Sequence, residues 1–232
     1  MTLLKDWNKF ERTLLYTRVI LVTVVGVITR AELLTTSCSL VGIITGLLLA
    51  KGKNLGQLFG LLISILYSIL SFKNRFYGEV IIYSFLMLPM YIMGIISWCR
   101  HHNKETNTVE VNKIDGKEWI LVTVVSVFAT IGIYVLLKSF NTNELIVSTI
   151  SVLTSLCALY FQVRRSRASF YFYILNDVVL MLLWGIPVIF EKNLLILPIF
   201  FEPVFNLIND IYGVYNWIKL EKKQKNLLPT TM

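Results

Sequence analysis

The chain has 232 residues, of which 56% are hydrophobic and only 16% charged, and its mean hydropathy is +0.68. Soluble domains carry about 25% charged residues, so this composition excludes a soluble enzyme, a disordered chain and a secreted disulfide scaffold. We predict an all-α integral membrane protein of the cell membrane. The net charge of +8 is assigned to basic loops that face anionic lipid headgroups, and no nucleic-acid partner is expected.

Eight transmembrane helices are predicted from the apolar runs between charged breaks. They cover 13–29, 33–50, 55–72, 78–98, 119–137, 144–163, 169–190 and 194–218. Each run is long enough for a helix to cross a bilayer core of about 30 Å. A polar stretch over 99–117 divides the chain nearly in half, and residues 219–232 form a cytoplasmic tail. Charged residues before the first run argue against a cleavable signal peptide.

The distribution of basic residues predicts the orientation of the chain in the membrane. Of the 22 Lys and Arg residues, 16 lie in the terminal tails and in the loops near 51, 100 and 164, and 5 lie in the opposite loops. Cytoplasmic loops of membrane proteins are enriched in Lys and Arg. Both termini are therefore expected in the cytoplasm.

Two stretches of the chain resemble each other, which is typical of transporter folds. An offset of 119 residues superposes Lys73-Asn74 on Lys192-Asn193, Gly94 and Trp98 on Gly213 and Trp217, and Gln57 on Asn176. An offset of 112 residues superposes Glu32 on Glu144 and Ser39 on Ser151. We predict a single membrane domain with an extra helix (13–29), a first repeat (33–98), a linking helix (119–137) and a second repeat (144–218). One linking helix gives both three-helix repeats the same polarity, with the substrate site between them.

The last predicted helix has a polar face. Steps of four and three residues place one set of side chains on the same side of the helix: Glu202, Asn206, Asn209, Gly213 and Asn216. Asp210 and Trp217 lie beside this stripe. Ionisable groups inside a membrane are costly and face a cavity or a partner. The stripe therefore predicts a water-filled or ligand-filled path.

The preceding predicted helix adds aromatic rings to these polar groups. Phe170, Tyr173 and Asp177 share one face, and Asn176 and Trp184 belong to the same helix. Carboxylates beside flat rings suit a planar ligand that hydrogen-bonds at one end and stacks at the other. A positively charged ring would gain from both, since a desolvated cation–π contact contributes about 2 kcal/mol.

Structural roles are the alternative for several of these residues. Asn and Asp can join membrane helices through hydrogen bonds, and Trp98 and Trp217 can act as interfacial anchors. Arg18 is expected to extend from the first helix toward the membrane surface. Packing is the expected role of three tyrosines: Tyr67, Tyr83 and Tyr91.

No enzymatic, metal or cofactor site is predicted. Cys99, His101 and His102 lack zinc-site spacing and are assigned to a solvated loop. No metalloprotease, hydrolase or phosphate-binding motif occurs. An intramembrane enzyme stays open only as a formal alternative, because Asp177 can pair with Glu202 or Asp210 but no nucleophile or metal set accompanies them.

The two repeats end in similar segments, Met93-Gly94-Ile95-Ile96-Ser97-Trp98 and Tyr212-Gly213-Val214-Tyr215-Asn216-Trp217. With the 3+1+3 plan of helices, these ends resemble the PnuC family of vitamin transporters over residues 32–220. That family has aromatic-Gly-x-aromatic-x-Trp helix ends, and the second segment is the better match. In the family, a Trp-x-x-Trp pair followed four residues later by an acid or amide stacks the substrate ring. The matching positions are Phe170, Tyr173 and Asp177, which keep the aromatic character without the tryptophans.

The resemblance implies a fold similar to that of the SWEET sugar exporters. It also implies facilitated diffusion of an unphosphorylated precursor that a cytosolic kinase traps inside the cell. We predict a transporter of a nucleoside-like vitamin, with nicotinamide riboside as the first choice, that works by alternating access. Thiamine, riboflavin and deoxynucleosides stay open because the tryptophans are replaced, and a non-transporting receptor is the alternative from another class. A homo-oligomer is compatible with the sequence.

The polar faces and the resemblance together predict the substrate-binding residues. Phe170 and Tyr173 would stack the ring. Hydrogen bonds to the ribose or to ring substituents are assigned to Asn176, Asp177, Glu202, Asn206, Asn209 and Asp210. The pocket would be completed by Gln57, Trp98 and Trp217.

Overall fold

The computed structural model describes residues 6–28, 33–73, 80, 82–140, 145–190 and 197–227, and this part is mostly helical. The helices are α1 (Lys9–Ile28), α2 (Leu33–Ala50), α3 (Leu55–Lys73), α4 (Ile82–Arg100), α5 (Gly116–Ser139), α6 (Leu145–Val163), α7 (Ala168–Phe190) and α8 (Leu197–Leu227). The first part of α4, Ile82–Met87, is a π-helix that ends just before Pro89. A short antiparallel hairpin of β1 (His102–Asn103) and β2 (Thr108–Val109) follows α4.

Composition and exposure of the helices fit a membrane environment. By length and composition α2, α4, α5 and α6 can each cross a membrane, and α3 and α7 contain shorter apolar stretches. Large apolar side chains face outward on α5, where Ile120 is 67% and Phe128 69% exposed. Because extended apolar surface is unfavourable in water, the outside of the bundle is suited to hydrocarbon.

Two segments differ from their predictions. Helix α8 continues to Leu227, so the expected tail over 219–232 is helical in its first part, where Leu220 is buried against the bundle. The polar stretch over 99–117 is not simply a solvated loop. Val109 is fully buried there, and His101 Nδ1 lies 2.8 Å from both the Ser97 carbonyl oxygen and Arg165 Nη1. Val109 and Val111, which pack in one apolar cluster with the helix ends, anchor this segment to the helices.

The central helices form two groups of three that meet along two seams. In the first group α3 packs against α2 and α4, and in the second group α7 packs against α6 and α8. Between the groups, α2 packs against α8, and α4 packs against α6. The remaining helices lie outside: α5 packs against α6, and α1 packs against α2 and α8.

The turns after α2 and α6 share the same backbone geometry. Gly52 and Arg165 both have positive φ, at 66° and 58°. Each turn also has the paired backbone hydrogen bonds of a Schellman helix end: Gly52 to Leu49 and Lys53 to Leu48, Arg165 to Gln162 and Ser166 to Phe161. The two turns therefore correspond at an offset of 113 residues.

This offset corrects one part of the predicted repeat. It places Gln57 opposite Phe170, so the predicted match of Gln57 with Asn176 is wrong. The ends of α4 and α8 correspond at 119 residues instead, because Trp217 lies 52 positions after Arg165, whereas Trp98 lies 46 positions after Gly52. Of the other predicted pairs, Glu32, Asn74, Glu144, Lys192 and Asn193 lie outside the described residues.

The ends of α4 and α8 are tied to the opposite group by equivalent hydrogen bonds. Trp98 Nε1 donates to the Gln162 carbonyl oxygen at 2.7 Å, and Trp217 Nε1 donates to the Leu49 carbonyl oxygen at 3.0 Å. The residues just before them bind the next carbonyl along, Ser97 to Val163 and Asn216 to Ala50. Trp98 and Trp217 are 0% and 1% exposed, so they are not interfacial anchors.

The hairpin segment crosses both turns. The Val109 amide donates to the Gly52 carbonyl oxygen, and the Asn112 amide donates to the Arg165 carbonyl oxygen, each at 2.9 Å. We call this side of the molecule the hairpin end; it comprises residues 51–54, 101–115 and 164–167. An apolar cluster lies directly beneath it, formed by Leu49, Ala50, Trp98, Val109, Phe170 and Trp217.

Helix α1 is fixed to the bundle at the hairpin end. It begins with a capping box in which Asn8 and Glu11 exchange side-chain and backbone hydrogen bonds. The Glu11 carboxylate is 2% exposed, pairs with Lys51 at 2.7 Å and accepts a hydrogen bond from the Tyr212 hydroxyl. Lys51 follows α2 and Tyr212 belongs to α8, so α1 covers the seam between the two groups.

Replacing Lys51 by Met is expected to lower the stability of the folded protein. The substitution leaves the Glu11 carboxylate buried without its cation, and breaking a buried ion pair from one side costs about 3 kcal/mol. The apparent unfolding midpoint in detergent, followed by tryptophan fluorescence, should fall clearly. Lys104→Met, which removes an exposed lysine of the hairpin, should leave the midpoint unchanged. Equal midpoints for the two variants would contradict the structural role of this pair.

Candidate functional site

A cavity of about 250 Å³ lies between the two groups of helices. Side chains from all six helices of the groups line it, and the described parts of α1 and α5 contribute none. Pockets for drug-sized ligands span about 300–1,000 Å³. The cavity is slightly smaller than this range, so it is suited to a ligand smaller than a typical drug.

One wall of the cavity is polar and belongs to α7 and α8. Asn209 Nδ2 donates to Asp210 Oδ1 at 3.0 Å, and the carboxyl groups of Asp177 and Asp210 interact with each other. Asp177 Oδ2 and Asn209 Oδ1 are buried without a hydrogen-bond partner among the described residues. Because an unpaired buried polar atom is costly, these two oxygens are suited to accept hydrogen bonds from a bound molecule.

Asn176 adds a donor to the same wall. The hydroxyl groups of Ser151 and Thr154 on α6 donate to its Oδ1 at 3.0 and 2.9 Å. The amide oxygen is therefore occupied, and the NH₂ group is the part left for a ligand. Helix α6 in this way fixes which end of the amide faces the cavity.

The opposite wall is aromatic and belongs to α3 and α4. The rings of Tyr67 and Tyr83 stack with centroids 5.1 Å apart and an interplanar angle of 12°. Tyr91 interacts with the hydroxyl group of Tyr173, which donates to Gln162 Oε1 at 2.8 Å. Tyr67, Tyr83 and Tyr91, for which packing was the expected role, line the cavity. Because tyrosine serves packing as often as binding, the sequence pattern did not single these three residues out.

Phe170 closes the cavity toward the hairpin end. Its ring both lines the cavity and belongs to the apolar cluster, where its centroid lies 5.6 Å from the ring of Trp217. Gly213 permits this position, because a Cβ atom there would overlap the Phe170 ring. Gly94 has the same relation to Gln57. An aromatic layer thus separates the cavity from the hairpin.

Most of the predicted binding residues line the cavity. These are Phe170, Tyr173, Asn176, Asp177, Asn206, Asn209 and Asp210. The others lie elsewhere. Gln57 is fully buried behind the wall, where its Oε1 accepts a hydrogen bond from Gln162 Nε2 at 3.1 Å. Trp98 and Trp217 belong with Phe170 to the apolar cluster next to the hairpin end.

Glu202 also lies outside the lining, near the other end of the polar stripe on α8. Helical spacing predicts which residues share a face but not how far along the axis a cavity reaches. Between Glu202 and Asn216 the helix rises about 21 Å, which is more than a cavity of this size spans. The side chain of Trp184 lies outside the described residues.

Arg18 does not extend toward the membrane surface as expected. It is 5% exposed, and its Nη2 donates to Asn206 Oδ1 on α8. Its guanidinium interacts electrostatically with the carboxylates of Glu202, Asp210 and Asp177. These acids hold the side chain inside the bundle. Within the described residues no cluster of His, Cys, Asp and Glu is suited to hold a metal ion.

Comparisons with known proteins match nearly the whole chain. The family model described as nicotinamide mononucleotide transporter matches residues 32–219. The nicotinamide riboside transporter PnuC of Neisseria mucosa is 26% identical over 221 residues, which cover 94% of this chain and 84% of the relative. The protein of the same name from Haemophilus influenzae is 23% identical over 185 residues, 78% of this chain and 77% of the relative. The crystal structure of a vitamin B3 transporter PnuC superposes with a TM-score of 0.78 at 26% identity and covers 94% of both chains.

Proposed function

The chain belongs to the nicotinamide mononucleotide transporter family, and from this membership we propose that it carries nicotinamide riboside across the cell membrane. The family and the structural neighbour are transporters, and the chain is a multi-pass membrane transporter rather than an enzyme.

The difference between the two cavity walls supports nicotinamide riboside as the substrate. Nicotinamide riboside has a flat cationic ring and a hydroxylated sugar. The tyrosines of α3 and α4, with Phe170, offer π faces to the ring. The unpartnered oxygens of Asp177 and Asn209 can accept hydrogen bonds from the ribose hydroxyls or the carboxamide, and the Asn176 amide can donate one.

The charges of the cavity favour the unphosphorylated nucleoside over the mononucleotide. Two carboxylates, of Asp177 and Asp210, line the cavity, and no Lys or Arg among the described residues does. A phosphate group would be repelled by these carboxylates and would find no cation in the lining to pair with. The positive charge of the nicotinamide ring is attracted by the same groups.

The proposed mechanism is alternating access between two parallel three-helix repeats, α2–α4 and α6–α8, joined by α5 and preceded by the extra helix α1. Equivalent Schellman turns and equivalent tryptophan hydrogen bonds in the two groups support this arrangement. With both termini in the cytoplasm, the hairpin end is cytoplasmic. The aromatic layer around Phe170 then closes the cavity on the cytoplasmic side.

Binding of candidate vitamins to the purified protein tests the substrate. We expect nicotinamide riboside to give a saturable calorimetric signal, with at least about tenfold weaker binding of nicotinamide mononucleotide, since a repelled phosphate costs more than 1.4 kcal/mol. Thiamine, riboflavin and deoxynucleosides are titrated in parallel. Tighter binding of any of these three would overturn the assignment to nicotinamide riboside.

Uptake into proteoliposomes tests the mechanism. We expect nicotinamide riboside to enter until its concentrations are equal on both sides, whether or not a pH gradient is imposed. A nicotinamide riboside kinase with ATP inside the liposomes should then drive further accumulation by trapping. Accumulation driven by a pH gradient alone would show proton coupling, and binding without any flux would indicate a receptor.

A further inference from the structure

We propose that Arg18, on the extra helix α1, is a positioning residue of the binding site. It fixes the side-chain amide of Asn206, and it sets how strongly the cavity prefers a cationic ligand over a neutral one. The inference rests on the proposed function and assigns part of the substrate specificity to a helix outside both three-helix groups.

The packing of α1 brings Arg18 close to the cavity. Helix α1 lies against α2 and α8, and the pair of Glu11 with Lys51 fixes its first turn. Two turns further on, the buried Arg18 guanidinium donates from Nη2 to Asn206 Oδ1. Asn206 lines the cavity. Arg18 is therefore one side chain away from a bound ligand.

The hydrogen bond from Arg18 determines what Asn206 can offer a ligand. With one acceptor position of Oδ1 bound to Arg18, the orientation of the amide is fixed and its NH₂ group is available to the cavity. Arg18 does for Asn206 what Ser151 and Thr154 do for Asn176. Two fixed donors then accompany the two unpartnered acceptors, Asp177 Oδ2 and Asn209 Oδ1. Hydroxyl groups both donate and accept, so this pattern fits the ribose of a nucleoside.

Arg18 also sets the charge that a ligand meets. Its guanidinium interacts with the three carboxylates of Asp177, Glu202 and Asp210, and its Nη1 is buried without a hydrogen-bond partner among the described residues. One cation does not balance three carboxylates, and a cationic ring adds a second positive charge. Because charges interact strongly away from water, removing Arg18 makes the cavity more attractive to a cation but not to a neutral ligand.

Calorimetric binding of two ligands to Arg18 variants tests the inference. Nicotinamide riboside supplies the cationic ring, and its reduced dihydro form supplies a neutral ring of nearly the same shape. In Arg18→Met we expect the neutral form to bind about tenfold more weakly, as for loss of one oriented hydrogen bond. The cationic form should lose less, so the ratio of the two affinities rises. Arg18→Lys should keep the wild-type ratio because it keeps the charge.

Coupling to Asn206 is tested by a double-mutant cycle. If Arg18 acts through Asn206, the double variant Arg18→Met, Asn206→Ala should bind the neutral form no more weakly than Asn206→Ala alone. Lys9→Met removes an exposed charge from the same helix and should change neither affinity. If Arg18→Met does not fold, Arg18→Lys alone tests the inference. Weaker binding of both forms, with the wild-type ratio of their two affinities, supports it.

An unchanged affinity ratio in Arg18→Met, or additive losses in the cycle, would overturn the positioning role while leaving the proposed function intact. So would a changed ratio in Arg18→Lys. Failure of the wild-type protein to bind nicotinamide riboside would instead overturn the proposed function. The two failures are therefore distinguished by the wild-type titration.

Discussion

Asp177→Asn is expected to weaken the binding of nicotinamide riboside by about tenfold to a hundredfold. The Asp177 carboxylate is buried in the cavity wall and has one oxygen without a partner. A hydrogen bond to a charged group contributes about 1.5–3 kcal/mol, and each 1.4 kcal/mol is a factor of ten. The amide also lacks the negative charge that attracts the ring. Calorimetric titration of the purified variant gives the affinity, and initial uptake into liposomes should fall with it.

Glu105→Gln is the matched control, since it makes the same chemical change on an exposed carboxylate of the hairpin segment. We expect wild-type affinity for this variant. The unfolding midpoint of Asp177→Asn should stay at or above the wild-type value, because an amide is less costly to bury than a carboxylate. An unchanged affinity in Asp177→Asn would show that the ligand does not contact this wall.

Gly213→Ala is expected to reduce binding and uptake by about tenfold or more. The added methyl group overlaps the ring of Phe170, and overpacking of this kind costs about 1–3 kcal/mol unless the ring moves. Trp217 also packs against Phe170, at 5.6 Å between centroids, and Phe170 lines the cavity, so we expect the ring to move into the cavity. There it occupies space that a ligand needs. Affinity by calorimetry and the unfolding midpoint should be measured together.

Two other glycines serve as controls for this variant. Gly132→Ala on α5 adds a methyl group where nothing lies within 4 Å, and we expect wild-type binding and stability. Gly94→Ala makes the equivalent change in the first group, where it displaces Gln57. Because Gln57 does not line the cavity, this variant should lose more stability than affinity. Equal losses of affinity in Gly94→Ala and Gly213→Ala would contradict the role of Phe170 in closing the cavity toward the hairpin end.

The helices could be predicted from sequence because membrane spans impose long apolar runs. The runs over 33–50, 55–72 and 144–163 differ from α2, α3 and α6 by one residue at most at each end. The extension of α8 was missed because exposed lysines such as Lys222 and Lys223 are typical of a solvated tail. The extension is fixed by the burial of Leu220 and by the hydrogen bond from Gln224 to the Val109 carbonyl oxygen. The hairpin was missed because each of its strands has only two residues, which is too short to give a periodic pattern.

The cavity lining was predicted in part, because polar residues stand out in an apolar helix and aromatic residues do not. Asn176, Asp177 and Asn209 stand out because polar groups are rare within apolar helices. Tyr67 and Tyr83 do not, since tyrosine is as common in packing as in binding. Arg18 was noticed but misplaced, because its partner Asn206 is 188 positions away and no local pattern connects them.

The two groups of helices have equivalent backbone turns, but they line the cavity with different side chains. The first group contributes tyrosines, and the second contributes acids and amides. A fully duplicated lining would accept an elongated ligand equally well end for end. Here the interchange places a sugar against aromatic rings and a cationic ring away from them, so a single pose is favoured. A bound nucleoside should therefore keep its ring toward the tyrosines and its sugar toward the acids and amides throughout transport.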